Sequence, residues 1–241
     1  MAIYVCSDIH GFYDRYIKML EKINFSDEDT LYVLGDVIDR GPDGIKILQD
    51  MMTRKNIEMF IGNHEFMMLE YLKEVEENGY AKHVHWLYEG NGGQITLSDF
   101  SSLSKKEQNE ILKYLNNAYM QKVIHTCDTD FMLCHTFFNR TKQEFKFKDA
   151  ASSEIDMMVW YSPFRDDELN IPYSYYTSEY IYVIGHVPTI RFGQEAPMIY
   201  KNIIDIDGGC AISAFKEGVG TLCCVRLDTL YTDNPFIINI K

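Results

Sequence analysis

Aspartate, asparagine and histidine recur in five short blocks of this 241-residue chain, and each block follows a short apolar run. Side chains of these three types bind borderline and hard divalent cations such as manganese, iron and zinc. Four of the seven histidines lie in these blocks, and three of them have an acidic, amide or glycine neighbour. The blocks are Asp8-Ile9-His10-Gly11, Gly35-Asp36-Val37-Ile38-Asp39-Arg40-Gly41, Gly62-Asn63-His64-Glu65, Cys134-His135 and Gly185-His186.

The number of possible ligands indicates two metal ions rather than one. A single ion takes roughly four to six ligands, and the blocks offer enough for two ions if one carboxylate bridges them. Asp36 is the natural bridge. Two ions about 3.5–4 Å apart are an established device for in-line displacement at phosphorus. The candidate ligands are Asp8, His10, Asp36, Asn63, His135 and His186.

Each block taken alone has a simpler explanation. Asp-x-His is as easily a surface turn, Asn63 could cap a helix, and His135 could be a hydrogen-bonded core residue. The conjunction of five such blocks favours a shared site. The remaining histidines show no comparable neighbours and are interpreted as ordinary residues: His83, His85 and His125.

The first seventy residues alternate strand and helix patterns. Such alternation predicts parallel pairing in an α/β layer. Ligands bind at the carboxyl ends of strands in open α/β sheets, so the blocks should meet at one sheet edge. The predicted strands are 3–7, 31–34 and 57–61, and the predicted helices are 13–23, 42–54 and 64–76.

The second half carries mostly short strand patterns. One helix is predicted over 104–116, with Ser104 and Glu107 forming a capping box. Residues 142–178 are polar and aromatic and follow no clear periodicity. With no linker or repeat, the chain is predicted to be a single domain over 1–241. The predicted strands are 121–125, 131–134, 180–184, 203–206, 221–227 and 236–240, with a hairpin turn at 127–130.

Charge and composition exclude several classes of partner. Lys and Arg number 23 against 36 Asp and Glu, a net charge of −13, which disfavours extended nucleic-acid and anionic-membrane binding. No apolar run reaches the roughly 18 residues of a membrane span, and the N-terminus lacks a secretory pattern. The six cysteines are scattered and form no Cys-x-x-Cys. A cytoplasmic protein with buried, reduced thiols is expected.

Together the five blocks resemble the calcineurin-like metallophosphoesterases, in particular the phosphoprotein phosphatase branch, whose second block contains Asp-Arg-Gly. The resemblance runs from residue 3 to about 230. Two further segments are similar to bacterial Ser/Thr protein phosphatases and symmetrical dinucleoside tetraphosphatases. These segments are Trp86-Leu87 with Asn91-Gly92-Gly93 and Thr96-Leu97, and Ile206-Asp207-Gly208-Gly209-Cys210 with residues 222–228.

This resemblance implies two mixed β-sheets packed as a sandwich and flanked by helices. It also implies direct attack on phosphorus by a hydroxide that bridges two metal ions, with no phosphoenzyme. Manganese is the expected metal, with iron or zinc as alternatives. Asp8, His10 and Asp36 would bind the first ion, and Asp36, Asn63, His135 and His186 the second.

The resemblance assigns further roles around the metals. His64 is expected to be the general acid for the leaving oxygen, with Asp39 orienting its imidazole, because a carboxylate fixes the tautomer of histidine. Arg40 offers a bidentate fork to phosphate, and Asn63 also lies at the substrate.

Two departures from the family pattern stand out. Small residues usually follow the histidine that corresponds to His135, but here Thr136-Phe137 follow it. The bulky Phe137 would either narrow the floor of the site or point away. The second departure is Trp160-Tyr161-Ser162, where bacterial members often have Trp-Ser-Arg; Arg165 is the candidate substitute for that phosphate-binding arginine.

These features predict a metal-dependent phosphatase. A phosphomonoesterase acting on phosphoserine and phosphothreonine proteins is the first expectation, and a symmetrical dinucleoside tetraphosphatase is the alternative. A non-catalytic binding protein on the same fold is less favoured, because every metal ligand is present. The expected partner is a phosphorylated protein or a small phosphoester, with no membrane; the sequence leaves the oligomeric state open.

Overall fold

The structure is a computed structural model that describes residues 1–126, 129–138, 141–165, 168–169, 179–216 and 218–241. Its strands form two larger mixed sheets and one small hairpin. The strands are β1 (Ile3–Cys6), β2 (Thr30–Val33), β3 (Ile57–Met59), β4 (Tyr119–His125), β5 (Asp130–Cys134), β6 (Glu144–Lys146), β7 (Phe164–Arg165), β8 (Glu168–Leu169), β9 (Ile181–Ile184), β10 (Met198–Tyr200), β11 (Ile203–Asp205), β12 (Leu222–Arg226) and β13 (Ile237–Ile240).

The first sheet has the order β13-β12-β1-β2-β3. As predicted, β1, β2 and β3 pair in parallel, so their carboxyl ends lie at one edge. β12 pairs antiparallel with β1, and β13 antiparallel with β12. The sheet is therefore mixed, with its parallel half carrying the first three blocks.

The second sheet has the order β10-β11-β9-β5-β4-β6. β5 and β9 pair in parallel, which brings the ends of the strands before His135 and His186 together. β4 and β5 form the predicted antiparallel hairpin; Cys127 and Asp128 of its turn lie outside the described residues.

Alternating side chains build a core between the two sheets. Val5 of the first sheet packs there with Phe131 and Leu133 of the second. Their neighbours along the strands, such as Cys6 and Cys134, point to the outer faces, as the two-residue period of a strand requires. The arrangement confirms the predicted sandwich of two mixed sheets.

Helices cover the outer face of the first sheet, and two of them do not follow from the sequence pattern. The fourth begins after Gly92, whose backbone is left-handed with φ 77°. This helix is rich in the weak helix formers Ser, Thr and Asp. The sixth lies in the segment without periodicity. The helices are α1 (Tyr13–Lys22), α2 (Gly44–Thr53), α3 (Asn63–Asn78), α4 (Gly93–Ser102), α5 (Lys105–Asn116) and α6 (Ser152–Trp160).

Most element boundaries differ from the prediction by one or two residues, and two of the differences have local reasons. α2 begins at Gly44 rather than at Pro42, and the N–H of Asp43 donates to the carbonyl of Gly11 in the neighbouring loop. β3 ends at Met59 because Phe60 bridges to Tyr119 of the second sheet. The predicted capping box at the start of α5 is confirmed.

The cysteines and the helices agree with two expectations, one about reduced thiols and one about membrane spans. Every cysteine among them is buried with a free thiol, in agreement with the expected reduced thiols; Cys127 lies outside this part of the chain. Within the same residues, no helix combines the length and the apolar character needed to cross a bilayer.

Candidate metal centre

The predicted ligands come together where five strands of the two sheets end. With the exception of half-buried His186, these ligands are at most 4% exposed. Several take positive φ values, which are uncommon for non-glycine residues and cluster at functional sites. The residues with positive φ in this cluster are Asp8, His10, Asp36, Asp39, Arg40 and His186.

Backbone hydrogen bonds fix the loops after β1 and β2 against each other. The N–H groups of Asp8 and His10 donate to the carbonyls of Gly35 and Asp36, at 3.1 and 2.9 Å. The close approach of the loop after β3 to Asp36 also requires Gly62, because a Cβ at this position would clash with the Asp36 carboxylate. The acidic side chains are thus held by the backbone before any ligand binds.

Asp36 lies between two groups of histidines. Its Oδ2 is 3.7 Å from His10 Nε2 and its Oδ1 is 3.6 Å from His135 Nε2. The ligand atoms fall within 4.8 Å of one another in two sets that share Asp36: the first contains His10 and His64, the second His135 and His186. This is the geometry that a bridging carboxylate requires.

Backbone carbonyls set the tautomers of two of these histidines. His10 Nδ1 lies 3.1 Å from the Ile38 carbonyl, and His135 Nδ1 lies 2.7 Å from the Leu34 carbonyl. A carbonyl only accepts, so each Nδ1 carries a proton, and in the neutral imidazole each Nε2 presents a lone pair. The Nε2 of His10 accepts from the Arg40 guanidinium, and both Nε2 atoms lie within 3.7 Å of the Asp36 carboxylate.

Asn63 faces the second set of ligand atoms. Its Oδ1 lies 2.8 Å from His186 Nδ1 and 3.1 Å from His135 Nε2. Because the Nε2 of His135 carries a lone pair, this oxygen and this nitrogen are both electron-pair donors. A separation of about 3 Å is the spacing of adjacent ligands around one ion with bonds of about 2.1 Å. Asn63 is the first residue of α3, and the N-cap is Gly62, so the capping role considered for Asn63 is wrong.

Asp8 supplies an unsatisfied acceptor to the first set. Its Oδ2 accepts from the Ser7 hydroxyl and from the N–H of His186. Among the described residues its buried Oδ1 has no hydrogen-bond donor and lies 3.9 Å from His10 Nε2. An unpaired buried carboxylate oxygen is costly, and a bound cation satisfies it.

The electrostatics of the cluster also fit bound cations. Burial raises the pKa of Asp36 to about 8, with Asp8 and Glu65 adding to the effect against the opposing His64. Burial and the charge of Arg40 hold the pKa of His10 well below its usual value, which keeps the neutral form that binds metals. The Arg40 guanidinium lies 2.8 Å from His10 Nε2. Neutral imidazoles beside carboxylate and amide oxygens are donors that divalent ions bind, so the donor set fits bound cations.

A second network lies beside the first set. His64 Nδ1 is 2.7 Å from Asp39 Oδ2, and the same oxygen accepts from Trp86 Nε1, also at 2.7 Å. The N–H of Asp39 donates to the Thr96 hydroxyl at 3.1 Å. His64 Nε2 is buried, has no hydrogen-bond partner in the described part of the chain, and lies 3.9 Å from Asp36 Oδ2. The free nitrogen of His64 thus faces the cluster.

Glu65 and Trp86 are site residues to which the sequence patterns assign no role. The Glu65 carboxylate is fully buried and accepts N–H bonds from Asp36 and Val37, at 2.9 and 2.8 Å, and from Gly62 at 3.0 Å. It therefore joins the loops after β2 and β3. The sequence offered one general signal for them: a carboxylate or an indole N–H that becomes buried needs hydrogen-bond partners.

The structure describes only part of the predicted phosphate-binding arginines and of the two departures from the family pattern. The Arg165 side chain lies outside what the structure describes. Exposed Arg191 is a further candidate for holding phosphate. Burial is the main cause that lowers the pKa of His186, and the charge of Arg191 is among the neighbouring charges that add to it. Phe137 packs on Phe138, with ring centroids 5.2 Å apart, and is partly buried against the outer core of the second sheet.

The other histidines have ordinary surroundings, as predicted. His83 pairs with Glu74 and His125 with Asp130, all away from the cluster. His85 makes no ion pair within the described part of the chain and is the first residue of a short 3₁₀ turn that includes Trp86.

This fold and strand-end cluster agree with the family assignment. The model of the calcineurin-like phosphoesterase family matches residues 1–207, and the chain belongs to that family. The resemblance inferred from the five blocks is thereby confirmed.

Several proteins of similar sequence are named symmetrical bis(5'-nucleosyl)-tetraphosphatases. One, from Buchnera aphidicola subsp. Schizaphis graminum, is 39% identical over 80 residues, which cover 32% of this chain and 29% of the relative. Another, from Buchnera aphidicola subsp. Baizongia pistaciae, is 22% identical over 257 residues, covering 87% and 91%. The first match thus spans less than a third of the relative's length, and the second nearly all of it.

Solved structures share the fold. One protein designated a diadenosine tetraphosphatase aligns with a TM-score of 0.60 at 16% identity, covering 99% of this chain and 93% of its own. A cold-active protein-tyrosine phosphatase of a psychrophilic Shewanella species aligns with a TM-score of 0.52 at 17% identity, covering 99% and 80%. At these identities the likeness concerns the architecture alone.

Proposed function

We propose that this protein is a metal-dependent phosphoester hydrolase and that its preferred substrates are dinucleoside tetraphosphates. The observation that carries the substrate assignment is the match over 87% of the chain to a relative named as a symmetrical dinucleoside tetraphosphatase. The buried carboxylate and imidazole cluster around Asp36 supports the hydrolytic chemistry.

The cluster divides naturally into two metal sites. Bound divalent ions would lower the pKa of water and offset the charge of the phosphoryl oxygens. Manganese is expected, and iron and zinc suit the same donors. We assign Asp8, His10 and Asp36 to the first ion, and Asp36, Asn63, His135 and His186 to the second.

The remaining residues handle the proton and the phosphate. His64 donates a proton from Nε2 to the leaving oxygen, because its Nδ1 is held by Asp39. Arg40, which lies against His10, turns its guanidinium to the phosphoryl oxygens, and Asn63 and Arg165 contribute further contacts.

Dephosphorylation of phosphoserine and phosphothreonine proteins is the second candidate. It uses the same cluster and is the function that the Asp-Arg-Gly block favours. The acidic exterior of the chain, with net charge −13, suits a peptide with basic residues near its phosphate.

Product analysis separates the two candidates. The protein is incubated with manganese and either diadenosine tetraphosphate or a phosphoserine peptide at equal concentration. Faster conversion of the dinucleotide, with two molecules of nucleoside diphosphate formed from each, supports the first proposal. Preferential release of phosphate from the peptide supports the second candidate, and turnover of neither would refute both.

A further inference from the structure

Trp160 is a large aromatic residue exposed at the edge of the proposed metal centre. It ends α6 and is 41% exposed, whereas Trp86 is fully buried. Its ring centroid lies 6.2 Å from that of His186, at an interplanar angle of 83°. A half-exposed indole in this position contributes little to the core and remains open to a ligand that reaches His186.

The segment that follows His135 holds Trp160 in place. The buried Thr136 hydroxyl donates to the carbonyl of Met158 at 2.8 Å. On the other side of Trp160, the ring of Tyr161 packs edge-on against Phe137, with centroids 5.0 Å apart. The departure from the small residues usual in the family therefore anchors α6 before and after the exposed indole.

We propose that Trp160 is a stacking platform for the nucleobase of a nucleotide substrate bound at the adjacent metal centre. The proposal rests on the proposed hydrolysis of dinucleoside tetraphosphates and assigns a residue that recognises them. Aromatic side chains bind bases of any sequence because every base has a π-face. A preordered indole loses little conformational entropy on binding.

The chemistry of the alternative substrate explains why a base is the better occupant. Phosphoserine carries no ring, and its peptide neighbours vary, so a fixed indole beside His186 offers it no constant contact. A nucleotide brings a planar ring at a fixed number of bonds from its phosphates. Arg191, exposed on the segment after His186, adds positive charge suited to the rest of a phosphate chain.

Fluorescence tests the platform without turnover. The chain has two tryptophans, and Trp86 is shielded from ligands, so quenching by a nucleotide reports on Trp160. In the presence of manganese, ADP should quench the wild-type emission, while inorganic pyrophosphate should not. In Trp160→Phe the ADP-dependent quench should be lost. Binding of ADP without quenching, or equal quenching by pyrophosphate, would overturn the proposal.

Kinetics then separates recognition of the base from a structural role. Trp160→Ala should lower kcat/KM for diadenosine tetraphosphate about 10-fold and leave that for inorganic tetraphosphate unchanged. Trp160→Phe should retain most activity. Met157→Ala, which truncates another half-exposed residue of α6, should leave kcat/KM unchanged for both substrates.

The two proposals fail in different ways. Equal loss on both tetraphosphates, or no loss on either, overturns the platform and leaves the hydrolytic function standing. If the wild-type protein hydrolyses other phosphoesters but no dinucleotide, the proposed substrate is wrong, and the quenching experiment still decides whether Trp160 binds bases.

Discussion

The strand-end cluster and the rim formed by Trp160, Tyr161 and Phe137 are built in opposite ways. The cluster is polar and is held by backbone hydrogen bonds, with Asp36 only 2% exposed. The rim is aromatic, and Trp160 is 41% exposed on the last residue of a helix. A buried polar cluster can fix the reaction, and an exposed apolar rim can select what is attached to the phosphate. The two regions should therefore respond differently to substitution.

The largest effect is expected at the shared carboxylate. Asp36→Asn replaces the carboxylate between the two histidine sets with a neutral amide and should lower turnover about 1000-fold or more, since each bound ion would contribute several kcal/mol to stabilising the transition state. The loss should be the same for diadenosine tetraphosphate and inorganic tetraphosphate. Metal content measured by mass spectrometry should fall in parallel. A loss confined to the substrate with bases would place Asp36 in recognition rather than in the reaction.

The next largest effect concerns the proton. His64→Asn should lower kcat about 100- to 10,000-fold for a phosphoserine peptide. The loss should be smaller for diadenosine tetraphosphate, because its leaving phosphate oxygen needs a proton less than a serine alkoxide does. His125→Asn, an exposed histidine away from the cluster, is the matched control. Equal losses on the two substrates would contradict the role of His64 as general acid.

The two regions also differ in how well they can be predicted from sequence. The cluster follows from apolar runs that end in Asp, Asn or His, because parallel strands bring such ends together. Trp86 does not follow, because its hydrogen bond joins residues 47 positions apart and depends on the finished fold. α6 and the exposure of Trp160 do not follow either, since that segment has no clear period and its position depends on Thr136 and Phe137.

A smaller effect is expected at Trp86, which lies behind the proposed catalytic pair of His64 and Asp39. Trp86→Phe removes the indole N–H that shares Asp39 Oδ2 with His64 but keeps an aromatic ring in the core. The variant should lose about 10-fold in kcat, as for one hydrogen bond to a charged group, and should lose most with poor leaving groups. Tyr71→Phe, whose ring lies 5.4 Å from Trp86, is the control for packing. Uniform slowing across leaving groups would assign Trp86 a purely structural role.

The smallest effect is expected at Asp205, a buried acid that, unlike Asp36, is not assigned to the metal centre. Burial, with Asp207 adding, raises the pKa of Asp205 well above its usual value. Its Oδ1 accepts the N–H of Asp207, and its Oδ2 has no partner among the described residues. A carboxyl group with a raised pKa stabilises the fold at acid pH, and this contribution is lost as the pH rises.

Asp205→Asn keeps the Oδ1 acceptor and removes the titration. Its Tm should therefore exceed that of the wild type by more at pH 8 than at pH 5, as measured by thermal unfolding. Activity should be retained, in contrast to Asp36→Asn. A lower Tm at pH 8 would show that the charge of Asp205 is used in the folded protein.

Anomalous diffraction from crystals grown with manganese tests the central claim most directly. The account predicts two peaks, one on each side of the Asp36 carboxylate, with Asp8 and His10 around the first and Asn63, His135 and His186 around the second. The Asp36→Asn protein should lose at least one of them. No peak at the cluster, or manganese bound only elsewhere, would contradict the assignment of these residues as a two-metal centre.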